Sequence, residues 1–147
     1  MSKHCRILPA MPDSVGMPPQ ILIIDESPIL TNVFRHKLKN AGYDVITCST
    51  GAQALTQARK RPPSIIILDL ALPDMSGLDL LRQVREHPQL AVVPVIIVTA
   101  CSDHRLLEAA KALDVTKVLM KASFSLQELL QCVSRAKPVR RVPLFDR

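Results

Sequence analysis

Three short runs dominated by aliphatic residues, "ILII" at 21–24, "SIIIL" at 64–68 and "PVIIV" at 94–98, constrain the fold of this chain more than any other feature. Apart from Ser64 at the head of the second, each is continuously apolar and rich in β-branched residues, the pattern of a strand covered on both faces in a parallel sheet. Two further runs, "YDVITC" (43–48) and "KVLM" (117–120), read as additional strands. Parallel strands cannot be joined by tight hairpins and need a crossover, usually a helix.

Helical segments lie where those crossovers are required. After the first run comes "SPILTNVFRHKLKNAG", with Ile29, Leu30, Val33, Phe34 and Leu38 as a helical stripe, Ser27 as N-cap, Pro28 at the first helical position and Gly42 as terminator. Helices are likewise predicted over 51–60, stopped by Pro62 and Pro63, over 76–87, ended by Pro88, and over 103–113 and 125–136. Five βα units with right-handed crossovers make a doubly wound, open α/β domain with a five-stranded parallel sheet.

The chain of 147 residues suits one domain, and 48% hydrophobic residues with only 3% aromatics match an aliphatic α/β interior. We place the domain at 20–136, after a disordered Pro-rich leader (1–19) and before a basic C-terminal tail (137–147). Between Gln20 and Ala136 thirteen basic residues face eleven acidic ones, so most of the formal charge of +6 belongs to the two ends. Such ends are ordinarily just solvated, and without a folded reading element they give little reason to expect specific nucleic-acid binding. Cys5, Cys48, Cys101 and Cys132 show neither a C-x-x-C pair nor a zinc spacing, which fits reduced thiols. The prolines of the leader interrupt any signal-peptide core, and no segment approaches the roughly 20 apolar residues that span a bilayer. A soluble, cytoplasmic protein is expected.

Ligands of such sheets bind beyond the carboxyl ends of the strands. The polar residues that follow the apolar runs are Asp25 and Glu26, Asp69, Thr99 and Lys121. Taken singly, an Asp or Thr after a strand often caps the next helix, and a Lys there is often a solvated charge. Together they bring three carboxylates, a hydroxyl and an ammonium to one rim. The resulting formal charge of −2 is unfavourable by itself and repels a phosphate donor. A bound Mg²⁺ neutralises it, and oxygen ligands from a few carboxylates are what Mg²⁺ takes. With the metal in place, Asp69 is the candidate nucleophile toward phosphorus, and Lys121 and Thr99 are the candidate partners of the phosphoryl oxygens.

The segments "ILIIDESP", "IIILDLALPDMSGLDLL", "VPVIIVTA" and "VLMKASFSLQELL" resemble the receiver domain of bacterial two-component response regulators, the family of the chemotaxis response regulator. The resemblance covers about residues 20–136. It implies a flavodoxin-like sheet of strand order 2-1-3-4-5. It also implies Asp69 as phosphoacceptor, Asp25, Glu26, Asp69 and the backbone carbonyl of Ala71 as ligands of Mg²⁺ or Mn²⁺, Thr99 as switch hydroxyl and Lys121 as the phosphoryl-binding lysine. Pro73 and Gly77 match the loop after the phosphorylation site. The implied partners are a histidine kinase or His-phosphotransfer protein, and a downstream protein met by helix 4, strand 5 and helix 5; a homodimer stays open.

Two positions depart from the family. Ala122 stands where a proline after a cis peptide is usual; a cis bond before a non-proline costs about 2.5–4 kcal/mol, so this loop is either strained or rebuilt as trans, with Lys121 aimed less well. Val118 replaces the usual inward-turning aromatic residue on the last strand, so phosphorylation is expected without the usual aromatic switch. Cys101, two residues past Thr99, is read as a plain loop or buried cysteine rather than a redox centre. After Ala136 only "KPVRRVPLFDR" follows, too short for an output domain, so a stand-alone module is expected. The alternatives are a phosphate-independent scaffold, or a phosphate sink or shuttle. A hydrolase of external substrates is disfavoured because Ala71 stands where haloacid-dehalogenase-like phosphatases place a second Asp. A flavodoxin-like cofactor role is disfavoured by the acids of "DESP".

Overall fold

The structure, a computed structural model, describes residues 18–136; residues 1–17 of the leader and the tail at 137–147 lie outside the described residues, with the expectations that fall on them. Ten elements alternate along the chain: β1 (Gln20–Ile24), α1 (Pro28–Asn40), β2 (Asp44–Cys48), α2 (Gly51–Lys60), β3 (Ile65–Leu68), α3 (Gly77–Glu86), β4 (Val95–Thr99), α4 (His104–Lys111), β5 (Lys117–Met120) and α5 (Leu126–Arg135). The strands form one parallel sheet in the order β2-β1-β3-β4-β5. Fold class and strand order are those expected. Boundaries move by a residue or two at most ends; the consequential shift puts Thr99 inside β4 rather than after it.

The parity of β1 divides the interior. Ile21 and Ile23 pack with Phe34 and Leu38 of α1, Leu129 and Val133 of α5, and Ile67 and Val98 of the sheet. Leu22 and Ile24 face the other way, toward Ala54 and Ala58 of α2, Leu80, Leu81 and Val84 of α3 and Ala110 of α4. The chain reverses its direction across the sheet after β2, and right-handed crossovers then carry α1 and α2 to opposite faces. β1, β3 and β4 are completely buried in consequence, which is why their sequences show no polar face. On the α1–α5 side Phe34 and Phe124 meet edge to face, with ring centroids 5.8 Å apart.

The caps follow the sequence closely. Ser27 accepts from the Leu30 amide with Pro28 at the first helical position, and Gly42, at φ 99°, takes the left-handed turn that ends α1. Thr50, Ser76, Asp103 and Ser125 cap the other four helices. One expectation fails on α1: Ile29 is 79% exposed and Val33 41% exposed, while Thr31 is buried in line with Phe34 and Leu38. Five apolar residues on this helix cover more than one face, and the sheet covers only the face carrying 31, 34 and 38. Thr31 tolerates burial because its hydroxyl donates to the Ser27 and Pro28 carbonyls.

At the opposite end of the sheet from the strand carboxyl termini, Arg85 of α3 donates to the carbonyls of Leu113, Ala91, Val93 and Asp114. It ties the entry of β4 to the α4–β5 turn, where Asp114 adopts a left-handed φ of 64°. Partial burial holds the guanidinium below arginine's ordinary value, opposed by the charge of Asp114.

Candidate functional site

Register brings the chemistry together. Ile24 of β1 pairs with Leu68 of β3, so the next residues, Asp25 and Asp69, leave neighbouring strands at the same level. The Asp69 amide donates to the Ile24 carbonyl at 2.9 Å, and the Asp25 amide to the Cys48 carbonyl at 3.1 Å, extending the ladder just past the strands. Both acids are nearly buried, Asp25 at 4% and Asp69 at 5% exposure.

Each carboxylate is oriented by one oxygen and paired through the other. Oδ1 of Asp25 accepts from the Ser27 amide at 2.9 Å, and Oδ1 of Asp69 from the Ala71 amide at 3.2 Å. Oδ2 of Asp25 lies 2.8 Å, and Oδ2 of Asp69 2.9 Å, from the same Nζ of Lys121. A single ammonium thus bridges two almost buried acids. Burial pulls the lysine's pKa down, but the hydrogen bonds and charges of Asp25 and Asp69 outweigh it and hold Lys121 above its ordinary value.

Lys121 reaches this position without a cis bond. Among the described residues every peptide is trans, and the Lys121 amide donates to the Thr99 carbonyl at 2.8 Å, which fixes where its side chain departs from β5. The loop is therefore rebuilt as trans, and the expected poorer aim of Lys121 toward Asp69 is not seen. Thr99 is fully buried at the end of β4, its hydroxyl accepting from the Cys101 amide at 3.1 Å. That bond gives Cys101 a place in the turn after β4. Val118 is half-buried on β5, against the cluster that includes Ala110 and Ile97.

Glu26, the neighbour of Asp25 in the chain, is exposed, whereas Asp25 is buried. Among the described residues no three Asp, Glu, His or Cys side chains gather closely enough to hold a metal. The oxygens of Asp25 and Asp69 nevertheless already share one cation, the lysine ammonium, and they are the hard donors that Mg²⁺ and Mn²⁺ take. The donor chemistry fits a divalent ion.

The loop after Asp69 is tightly closed. Ala71 and Ser76 form an isolated antiparallel bridge, and the Gly77 amide donates to the Leu70 carbonyl at 2.8 Å. At its far end Asp74 accepts from the Gly51 amide at 2.8 Å and the Ala52 amide at 3.0 Å, the opening donors of α2. Those two amides keep the Asp74 carboxyl below its usual range. Sequence reasoning passed over Asp74, since an Asp after Pro73 reads as a turn residue and nothing in the sequence shows a partner 23 residues earlier.

With this geometry in place, comparison with known proteins is specific. A family model for the response regulator receiver domain matches residues 21–134. The transcriptional regulatory protein KdpE of Mycobacterium tuberculosis is 46% identical over 83 residues, 56% of this chain, and this chain spans about a third (35%) of that protein's length. The polar-differentiation response regulator DivK of Brucella anthropi is 33% identical over 84 residues, 57% of this chain and 68% of DivK. The structure of the chemotaxis response regulator CheY4 of Vibrio cholerae superposes with a TM-score of 0.75 at 29% identity, covering 82% of this chain and 99% of that one. No helix among the described residues is long and apolar enough to cross a membrane.

Proposed function

The chain belongs to the response regulator receiver domain family, and on that premise we propose that Asp69 accepts a phosphoryl group from a phosphohistidine of a histidine kinase or His-phosphotransfer protein. The observation that carries this reading is the bridge from Lys121 to both Asp25 and Asp69, a cation held beside an oriented, nearly buried carboxylate. A carboxylate oxygen of Asp69 attacks phosphorus, the phosphorus–nitrogen bond breaks, the imidazole leaves and takes up a proton, and an acyl phosphate remains on Asp69. Attack requires that Lys121 release the Asp69 oxygen and pass to the transferred group, where its charge meets the equatorial oxygens. Thr99 exchanges its bond from Cys101 for a contact to the same group.

Asp25, Glu26, Asp69 and the Ala71 carbonyl would hold Mg²⁺ or Mn²⁺, Glu26 from the exposed side of the rim. Bound there, the ion neutralises phosphoryl oxygens and lowers the repulsion between phosphate and the acids. Signal leaves by protein contact through α4, β5 and α5, in a cytoplasmic setting. No turnover of an external substrate is part of this reading. Val118 favours a variant in which the domain serves as a phosphate shuttle, since β5 presents no aromatic side chain at that position to move with Thr99. Incubation with acetyl phosphate and Mg²⁺ tests the phosphoacceptor: the wild type is labelled and Asp69→Asn is not. Equal labelling of both proteins removes Asp69 from the role.

A further inference from the structure

We infer that Asp74 is a positioning residue for the cation site: it anchors the β3–α3 loop to the first turn of α2 and so holds the Ala71 carbonyl where a divalent ion can use it. This rests on the cation site proposed above. The loop is fastened by hydrogen bonds at its stem and at its tip. Its stem is closed by the Ala71–Ser76 bridge and by the Gly77 amide on the Leu70 carbonyl. Its tip is fastened by the two carboxylate oxygens of Asp74, one on the Gly51 amide and one on the Ala52 amide.

The tip contact differs from an ordinary helix cap. Thr50 already caps α2 by accepting from the Gln53 amide at 3.1 Å, so Asp74 takes donors the local cap leaves unused. It comes from a different element, 23 residues along the chain. The two segments also touch through Met75, whose sulfur lies 2.5 Å from where a Cβ on residue 51 would stand; the missing side chain of Gly51 lets the loop lie directly on the helix. A carboxylate on two amides at a helix start is favoured by charge as well as by hydrogen bonding. Since Asp69 binds the Ala71 amide, the same short loop carries the nucleophile's orienting donor and the proposed carbonyl ligand. Losing the anchor at the tip loosens both.

Mg²⁺ titration of the full chain, followed by the amide resonances of Asp25 and Asp69, tests this without any measurement of phosphorylation. Asp74→Ala is expected to weaken Mg²⁺ binding roughly threefold to tenfold, at or below the low end for groups that hold metal ligands in place. Asp74→Asn, which keeps one acceptor oxygen, is expected to fall between Asp74→Ala and the wild type. Thr50→Ala weakens α2 without touching the loop, and is expected to bind Mg²⁺ like the wild type. Wild-type affinity in Asp74→Ala, with faster hydrogen exchange at Gly51 and Ala52 proving the anchor lost, overturns the inference. So does an equal loss in Thr50→Ala, which assigns the effect to helix stability. Failure of the wild type to bind Mg²⁺ is a separate outcome that removes the cation site itself, and the positioning role with it.

Discussion

Gly77 sits at the first position of α3 with no room for a side chain, and replacing it tests how rigidly the site's backbone is held. A Cβ built there lies 2.4 Å from Leu70 Cα, 2.6 Å from the Asp69 carbonyl oxygen and 2.9 Å from the Leu70 carbonyl carbon. All three are backbone atoms, so no rotamer change relieves them. Reaching van der Waals separation requires the helix start and the loop to part by about 1 Å, since carbon atoms settle near 3.5–4.0 Å. Overpacking of this kind costs about 1–3 kcal/mol, and three contacts at once place Gly77→Ala at the upper end. Helix propensity returns under about 1 kcal/mol, leaving a net loss of about 2 kcal/mol. For a domain of this size that lowers Tm by roughly 8 °C.

Thermal and urea unfolding followed by circular dichroism supply the measurement, with an unchanged m-value as the sign that stability alone has moved. Gly51→Ala is the comparison, because the three nearest atoms to a Cβ there all belong to the flexible side chain of Met75 rather than to backbone; its cost is expected to stay under about 1 kcal/mol. The displaced atoms in Gly77→Ala include the Asp69 carbonyl, so slower labelling by acetyl phosphate should accompany the lower Tm. A Gly77→Ala protein that melts within about 2 °C of the wild type would show that the loop yields freely, and the steric reasoning would fail.

Other expectations follow from the same contacts. Lys121→Gln leaves two nearly buried carboxylates without their ammonium, so added Mg²⁺ should raise its Tm more than it raises that of the wild type. Because the folded protein holds Lys121 above lysine's ordinary value, its stabilisation is complete below the unfolded pKa of about 10.4 and is lost as pH rises through the folded one. Wild type minus Lys121→Gln stability, measured in Mg²⁺-free urea titrations, should therefore shrink as pH climbs beyond about 10.4; a flat difference contradicts the ion pairing. Arg85→Met strips four carbonyls of their donor at a half-buried position and should cost about 2–3 kcal/mol in urea unfolding, with phosphoacceptor labelling of the folded protein unchanged. A phosphoryl mimic on Asp69 should shift amide resonances around Thr99 and Lys121 and, by a route other than an aromatic swing at Val118, on the outer faces of α4 and α5; an unchanged surface over those two helices would refute output through that face and favour a phosphate sink or shuttle.

The aliphatic runs at 21–24, 64–68 and 94–98 determined by themselves that the sheet is parallel and covered on both sides, because a strand with no polar face has nowhere else to be stable. The residues just after those runs disclosed the rim, since parallel strands all end on one side, and Ser27 with Pro28 marked the start of the first helix. Local chemistry carried that much because strand burial, caps and turns depend on residues close in sequence. Distant contacts did not show. Ile29 and Val33 look like core until the sheet covers the face of Thr31, Phe34 and Leu38 instead. Glu26 looks equivalent to Asp25 in the sequence, yet only Asp25 is buried. Lys121 bridging both acids, and Asp74 reaching α2, depend on register between strands and on the path of a loop. Those are decided only when the whole interior packs, because the free energy that selects one register over another comes from the combined burial of all five strands and their helices.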